Sequence, residues 1–163
     1  MSEKELLIKE LDHGRELIQR LLKDLEEARC TSKEVYPTWT IKELLAHLTG
    51  WDDACIASLK AFSRNDVPAT PASRGINPYN ASTVHEREAL SLEQVIGEWE
   101  YTREEFKQAI RDLPEEKVNE PFVMPWGPKS TLAEMVKIFA EHEVEHAEEI
   151  GQIIASGKLN SQE

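Results

Sequence analysis

The sequence has few cysteines and no long apolar run, and both absences narrow the class of protein. Its 163 residues include two cysteines, Cys30 and Cys55, which form no C-x-x-C motif. A disulfide scaffold is therefore not expected, and a reducing, cytoplasmic location is. No run of eighteen apolar residues occurs, so no transmembrane helix is predicted. The N-terminal stretch also lacks the apolar segment of a signal peptide, and we do not expect export.

The sequence also lacks a basic patch, because its lysines and arginines are scattered singly among glutamates. The net charge is −12, and such a field repels a nucleic-acid backbone. We therefore expect no nucleic acid and no membrane as a partner, and a small molecule as the substrate. A homodimer is compatible with the sequence. The length predicts one domain over residues 1–163.

Helix starts are marked by Ser or Thr followed three residues later by Glu or Gln, the capping-box pattern. Four such pairs precede long amphipathic stretches: Ser2–Glu5, Thr40–Glu43, Ser91–Gln94 and Thr131–Glu134. A fifth pair, Thr83–Glu86, precedes a short stretch, and we leave open whether it begins a brief extra helix. Behind each long stretch the apolar residues recur at alternating steps of three and four, which is a helical period.

The pattern predicts helices near residues 2–29, 40–63, 91–112 and 131–156, and no convincing strand. Four amphipathic helices of this length predict an all-α protein, a four-helix bundle. The link over about residues 64–90 is long enough to run the length of a helix. It permits a long crossover between helices two and three, which gives an up-down-down-up order.

Two histidines, His142 and His146, lie four residues apart on the apolar stripe of the fourth helix, in "HEVEH". At this spacing both side chains lie on one face, one turn apart. They could bind one metal ion together, or they could be buried histidines satisfied by hydrogen bonds. The position of the two histidines on the apolar stripe does not decide between a metal site and a pair of buried, hydrogen-bonded histidines.

The same five residues match the H-E-x-x-H pattern of zinc proteases, an interpretation that we reject. No histidine follows His146 to supply a third ligand, and no sheet is predicted to form the cleft. Glu143 lies about 100° around the helix from His142. We therefore expect Glu143 on a solvated face, where its substitution leaves metal content and activity within a few-fold.

A third histidine, His47, flanks the apolar face of the second helix. It lies 7 residues into that helix, and His146 lies about 10 residues from the end of the fourth. In antiparallel helices these depths match to within about 5 Å, whereas in parallel helices His47 lies well over about 7 Å from the pair along the axis. The three-histidine hypothesis and the crossover order therefore depend on each other.

Two stretches, "TWTIKELLAHLTGWDD" and "HEVEHAEEIGQI", resemble the DinB/YfiT-like superfamily of small four-helix bundles. The resemblance implies that His47, His142 and His146 are a metal triad, and that the bundle has the up-down-down-up order. It also implies a divalent ion, commonly nickel, zinc, iron or manganese, and a low-molecular-weight thiol as a further cofactor in some members. The stretch "NPYNASTVHEREALSLEQV" is similar to the mycothiol-dependent isomerase branch.

Three functions follow from this resemblance as hypotheses. The first is a metal-dependent enzyme on small molecules, either a thiol-dependent transferase or isomerase or a hydrolase. The second is a metal-binding protein without catalysis, and the third is a helical interaction protein. The sequence names no catalytic residue.

Further residues have candidate roles near the histidines. Trp51, Tyr79 and Trp126 are candidate walls of a substrate pocket, with packing of core or links as the alternative. Glu149 and Asp52 could orient the ligands, but plain solvated helix surface is the interpretation that we favour for both. His13, His85, Cys30 and Cys55 are assigned no role in the site.

Overall fold

The computed structural model describes residues 1–32 and 39–156, and the fold is all-α, as predicted. Six α-helices are described: α1 Glu3–Lys23, α2 Glu27–Ser32, α3 Ile41–Arg64, α4 Ile76–Glu86, α5 Leu92–Asp112 and α6 Leu132–Ala155. A 3-10 helix spans Glu115–Lys117. Four of the helices, α1, α3, α5 and α6, are long and form the bundle.

The four predicted caps begin these long helices. Thr40 and Ser91 form full capping boxes with Glu43 and Gln94, in which side chains and backbone N–H groups exchange hydrogen bonds. Ser2 and Thr131 each accept a hydrogen bond from the backbone N–H three residues later. These bonds satisfy N–H groups that a helix start otherwise leaves unpaired.

Three details differ from the sequence prediction. The first predicted helix is interrupted after Lys23, because Asp24 leaves the helical conformation and the short α2 begins at Glu27. The crossover link contains α4, with Thr83 near its end rather than at its start. A small antiparallel sheet joins β1, Phe122–Val123, to β2, Lys129–Ser130, across a turn that contains Gly127 at φ 113°.

The order of contacts along the helices indicates their directions. Gly14 of α1 meets Glu143 of α6, and further along both helices Leu21 meets Gly151. These two helices therefore run in the same direction. Between α3 and α6 the order is reversed, since His47 contacts His146 and Trp51 contacts Phe139. These are the directions that the predicted up-down-down-up order requires of α1, α3 and α6.

The core is divided into two apolar clusters, one toward each end of the bundle. The first cluster contains Leu7, Cys55, Phe106 and Met135 among others, and the second contains Ile18, Leu44, Trp99 and Ile150 among others. Each long helix contributes to both clusters. Between the clusters each long helix also contributes one buried charged residue, described below.

Within residues 1–32 and 39–156, no helix combines the length and the apolar character that crossing a membrane requires.

Gly14 offers a test of the packing between α1 and α6. A Cβ at this position would lie 2.9 Å from Val144 N and 3.0 Å from Glu143 Cβ. We expect Gly14→Ala to lower the free energy of unfolding by about 1–3 kcal/mol, because the helices must separate. Gly97→Ala is the matched control, since its Cβ would have no neighbour within 4 Å. It should be neutral or stabilise by up to about 1 kcal/mol. Equal effects in urea denaturation would contradict this packing.

A candidate metal centre beside a buried ion network

Three histidines from two helices converge in the structure. His47 projects from α3, and His142 and His146 project from successive turns of α6. His142 Nε2 lies 3.2 Å from His47 Nε2 and 2.9 Å from His146 Nε2. The ligand atoms of all three lie within 4.8 Å of one another. The antiparallel contact between α3 and α6 thus brings together the residues that the sequence singled out.

The separations of His142 Nε2 from the other two histidines fit a shared metal ion, while the full set of ligand atoms extends over up to 4.8 Å. Bonds of about 2.0–2.1 Å at angles between 90° and the tetrahedral value separate two nitrogens by roughly 2.9–3.4 Å. The two measured separations lie in that range. His146 Nδ1 lies 3.2 Å from Glu149 Oε2, so the imidazole donates there and leaves the Nε2 lone pair facing the other histidines. A carboxylate that orients an imidazole in this way is common around metal ligands.

The electrostatics of the cluster favour neutral imidazoles. Burial, followed by the proximity of the other two rings, lowers the pKa of His47 to about 3. Burial is also the main cause that lowers the pKa of His142 and of His146, each to about 4. All three rings are therefore uncharged at neutral pH and have lone pairs available for a cation.

A cavity of about 460 Å³ opens beside the histidines. Its lining is mostly apolar and consists of His47, Trp51, Ile76, Asn80, Trp126, Ile138, Phe139, Glu141, His142 and Glu145. Trp51 and Trp126, two of the three predicted wall residues, are part of it. Tyr79 lies behind Trp51, at 4.8 Å between ring centroids, and its hydroxyl donates to Gly50 O at 2.5 Å. Tyr79 therefore supports the wall and is not part of the lining.

One turn from the histidines, a network of four buried charges crosses the bundle. Arg15 of α1 donates to Glu143 of α6 at 2.6 Å and to Asp52 of α3 at 3.3 Å. Arg103 of α5 donates to both Asp52 oxygens at 3.0 Å and lies 2.5 Å from Glu143 Oε2. Trp99 Nε1 also donates to Glu143, at 3.1 Å. Each long helix thus contributes one charge, and the four charges sum to zero.

The structure corrects the expectation that Glu143 and Asp52 lie on solvated surface. Glu143 is 0% exposed and Asp52 is 1% exposed. Burial raises the pKa of Glu143, but the charges of Arg103 and Arg15 outweigh this effect and the pKa is lowered. Glu149 is likewise half-buried and in contact with His146, rather than plain surface. The predicted positions of the histidines agree with the structure, whereas the predicted exposure of Glu143, Asp52 and Glu149 does not.

The placement of Glu143 also bears on the H-E-x-x-H pattern. In a zinc protease this glutamate acts on water beside the metal. Here Glu143 points into the bundle, where both carboxylate oxygens face arginines and one accepts from an indole. Its location agrees with the rejection of the protease interpretation, although for a different reason from solvent exposure.

Three residues of the buried network were not predicted from the sequence: Arg15, Arg103 and Trp99. The four charged residues each directly follow a position that continues the three-four spacing of its helix: Arg15 follows Gly14, Asp52 follows Trp51, Arg103 follows Thr102 and Glu143 follows His142. Two positive and two negative residues at that one offset are a signal that the sequence does contain. Asn80 and Phe139 were also not predicted as cavity residues; Asn80 accepts from Trp51 Nε1 at 2.7 Å.

Comparison with known proteins identifies the family. A model described as the DinB superfamily matches residues 10–150. This chain belongs to the DinB superfamily. No curated protein matches it. The fold is similar to that of the Sibling Lethal Factor Precursor DfsB, with a TM-score of 0.80 and 18% identity over 100% of this chain and 99% of that chain.

Two further structures share the DinB fold. The colibactin self-resistance protein ClbS, solved in complex with double-stranded DNA, has a TM-score of 0.78 and 14% identity, over 95% of this chain and 97% of that one. The mycothiol-dependent maleylpyruvate isomerase has a TM-score of 0.75 and 16% identity, over 92% of this chain. This chain spans 61% of the length of the isomerase. At these identities the similarity shows the fold alone.

The ClbS complex corrects the expectation that nucleic acid is excluded. A DinB-like protein of the same fold and nearly the same extent is found with duplex DNA. The exclusion relied on the net charge of the whole chain and on the scatter of its lysines and arginines along the sequence. Charges on a protein surface are screened over about 8 Å at physiological salt, so net charge does not determine the field at every part of the surface.

The buried network gives a prediction about stability. We expect Glu143→Gln to lower the free energy of unfolding by about 3–5 kcal/mol, because it leaves two buried arginines facing one carboxylate. Glu145→Gln, an exposed position on the same helix, is the control and should change it by less than about 0.5 kcal/mol. Denaturant unfolding measures both variants, and similar midpoints would contradict the network.

The histidine cluster predicts acid sensitivity of the metal-free protein. Each lowered pKa makes folding oppose protonation, so the stability present above the unfolded histidine pKa, about 6.5, is lost as the pH falls toward about 4. Between about pH 7 and pH 5.5 the loss is about 1 kcal/mol per buried histidine. Urea denaturation in the presence of a chelator measures it. His47→Gln should reduce the loss, whereas His85→Gln, at an exposed position, should not.

Proposed function

We propose that His47, His142 and His146 bind one divalent metal ion, and that the protein is a metal-dependent enzyme acting on small molecules. The reaction is of the thiol-dependent transferase or isomerase type, or a hydrolysis. The observation that carries the proposal is the convergence of three neutral imidazoles at the side of an aromatic cavity. Three protein ligands leave coordination positions open, as catalytic sites do, whereas closed structural sites have four.

The chain's own residues have separate roles in this proposal. The three histidines hold the ion, and Glu149 orients His146. A divalent ion held there lowers the pKa of a water or thiol that binds to it and polarises a carbonyl group. Trp51, Trp126 and Phe139 limit the access of water, while the carboxylates of Glu141 and Glu145 in the lining can accept a proton.

The donor set narrows the choice of cofactor. Imidazole ligands suit zinc, iron and nickel, and manganese is retained as a candidate from the family resemblance. A low-molecular-weight thiol as a second cofactor is supported by the shared fold of the mycothiol-dependent isomerase, which is longer than this chain. Both cysteines of the chain, Cys30 and Cys55, are buried and unbridged, so the thiol would come from outside the protein. A cytoplasmic location stays a prediction from the scarcity of cysteines.

Two alternatives keep the same fold. A non-catalytic metal-binding protein would hold the ion without turnover, and a helical interaction protein would hold no ion. Metal content distinguishes a helical interaction protein from the proposed enzyme. Turnover of electrophilic substrates, with and without added thiols, distinguishes a non-catalytic metal-binding protein from it.

Metal stoichiometry tests the three-histidine site. We expect the purified protein, loaded with zinc or nickel and dialysed, to retain about one ion per chain, and His47→Ala to lose most of it, since two histidines bind weakly. His13→Ala is the control, because His13 is exposed on α1 and outside the cluster. Tight one-to-one metal binding by His47→Ala, measured by mass spectrometry of the elements, would contradict the site.

A further inference from the structure

Two polar groups at the aromatic wall form hydrogen bonds within the protein. Trp51 Nε1 donates to Asn80, and the Tyr79 hydroxyl donates to a backbone carbonyl. With these groups bonded to protein partners, the rings of Trp51, Trp126 and Phe139 line the cavity. A ligand there meets mostly apolar surface, with the polar side chains of His47, Asn80 and His142 beside it, which favours a flat or aromatic body.

Three aromatic rings form a continuous wall. The ring centroids of Trp51 and Phe139 lie 5.7 Å apart, and Trp126 lies 6.2 Å from each of them. Tryptophan faces carry negative electrostatic potential, and walls of this kind bind ammonium groups. The exposed side chains of Ile76 and Ile138, which also line the cavity, extend the apolar surface outward.

Among the residues that the structure describes, two carboxylates are the charged side chains that line the cavity. Glu141 and Glu145 lie one turn apart on α6, are exposed, and are adjacent to the histidines in sequence. No lysine or arginine lines this cavity within the described part of the chain, and neither carboxylate forms a salt bridge there. The same two residues also line a neighbouring groove with Lys137, the nearest cation on their helix. The field at the lining is therefore negative.

From this combination we propose that the cavity selects small organic cations, namely an aromatic or apolar ligand that carries an amino group, and that the cavity without a bound ion discriminates against carboxylates and phosphates. The aromatic rings contact the apolar body of the ligand and its ammonium group, and Glu141 and Glu145 supply the negative charge. The inference rests on the proposed function only in taking this cavity as the substrate pocket. It does not require a bound metal ion, because the selecting groups are the rings and the two carboxylates.

Three probes of similar size test the selection: benzylamine, benzyl alcohol and benzoate, which are cationic, neutral and anionic at neutral pH. Binding is followed in the chelator-treated protein by NMR, using the indole N–H signals of Trp51 and Trp126. A carboxylate probe could otherwise bind the ion directly. We expect benzylamine to bind at least five-fold more tightly than benzyl alcohol, and benzoate to bind least tightly.

Matched variants locate the cause of the preference. The double variant Glu141→Gln with Glu145→Gln should bind benzylamine and benzyl alcohol equally, with the affinity for benzyl alcohol unchanged. The control, Glu10→Gln with Glu148→Gln, changes the net charge by the same amount in the neighbouring groove, outside this cavity. It should keep the preference.

Two results would overturn the proposal: benzoate binding as tightly as benzylamine, or a preference for the amine that survives loss of Glu141 and Glu145. A preference lost equally in the control variant would also overturn it, because net charge would then be the cause. Metal content of the same samples before chelation is measured separately. A protein that binds no metal but still prefers the amine would contradict the proposed metal site and leave the cation selectivity supported.

Discussion

The arrangement of the bundle depends on a set of four charges buried between two apolar clusters. Arg15, Asp52, Arg103 and Glu143 each come from a different long helix and pair across the centre. Removing ions from water costs several kcal/mol each, and their mutual attraction offsets this cost only when all partners are in place. We interpret the network as a device that specifies the register of the helices: a helix displaced by one turn would leave a buried charge unpaired.

The histidines depend on that register. His142 directly precedes Glu143 on α6, and His47 lies five residues before Asp52 on α3. Because Glu143 and Asp52 are fixed by the network, both histidines are held within one or two helical turns of it. The two faces of α6 are consequently divided at adjacent residues. Glu143 faces the arginines inside the bundle, while His142 and His146 face His47 and the cavity. The close approach at Gly14 keeps α1 against this part of α6.

Much of the fold could be predicted from local signals, because the capping residues and the three-four spacing act within one helix. The pairing of His47 with His142 and His146 could be stated as a hypothesis, since counting gives the depth of each residue along its helix. The antiparallel direction that makes the depths match was implied by the family resemblance. The roles of Asp52 and Glu143 could not be predicted, because a glutamate one step from an apolar stripe is usually solvated. The burial of Glu143 depends on Arg15 and Arg103, and Arg15 lies 128 residues away in the sequence. The small β1–β2 sheet was missed because strands of two residues have no period to detect.

The most direct measurement is the position of a metal ion in crystals of the loaded protein, located by its anomalous scattering. The account predicts one ion bonded to Nε2 of His47, His142 and His146 at about 2.0–2.2 Å, with Glu143 still paired to Arg15 and Arg103. An ion bound by Glu143, or held at Glu141 and Glu145 without the histidines, would contradict it.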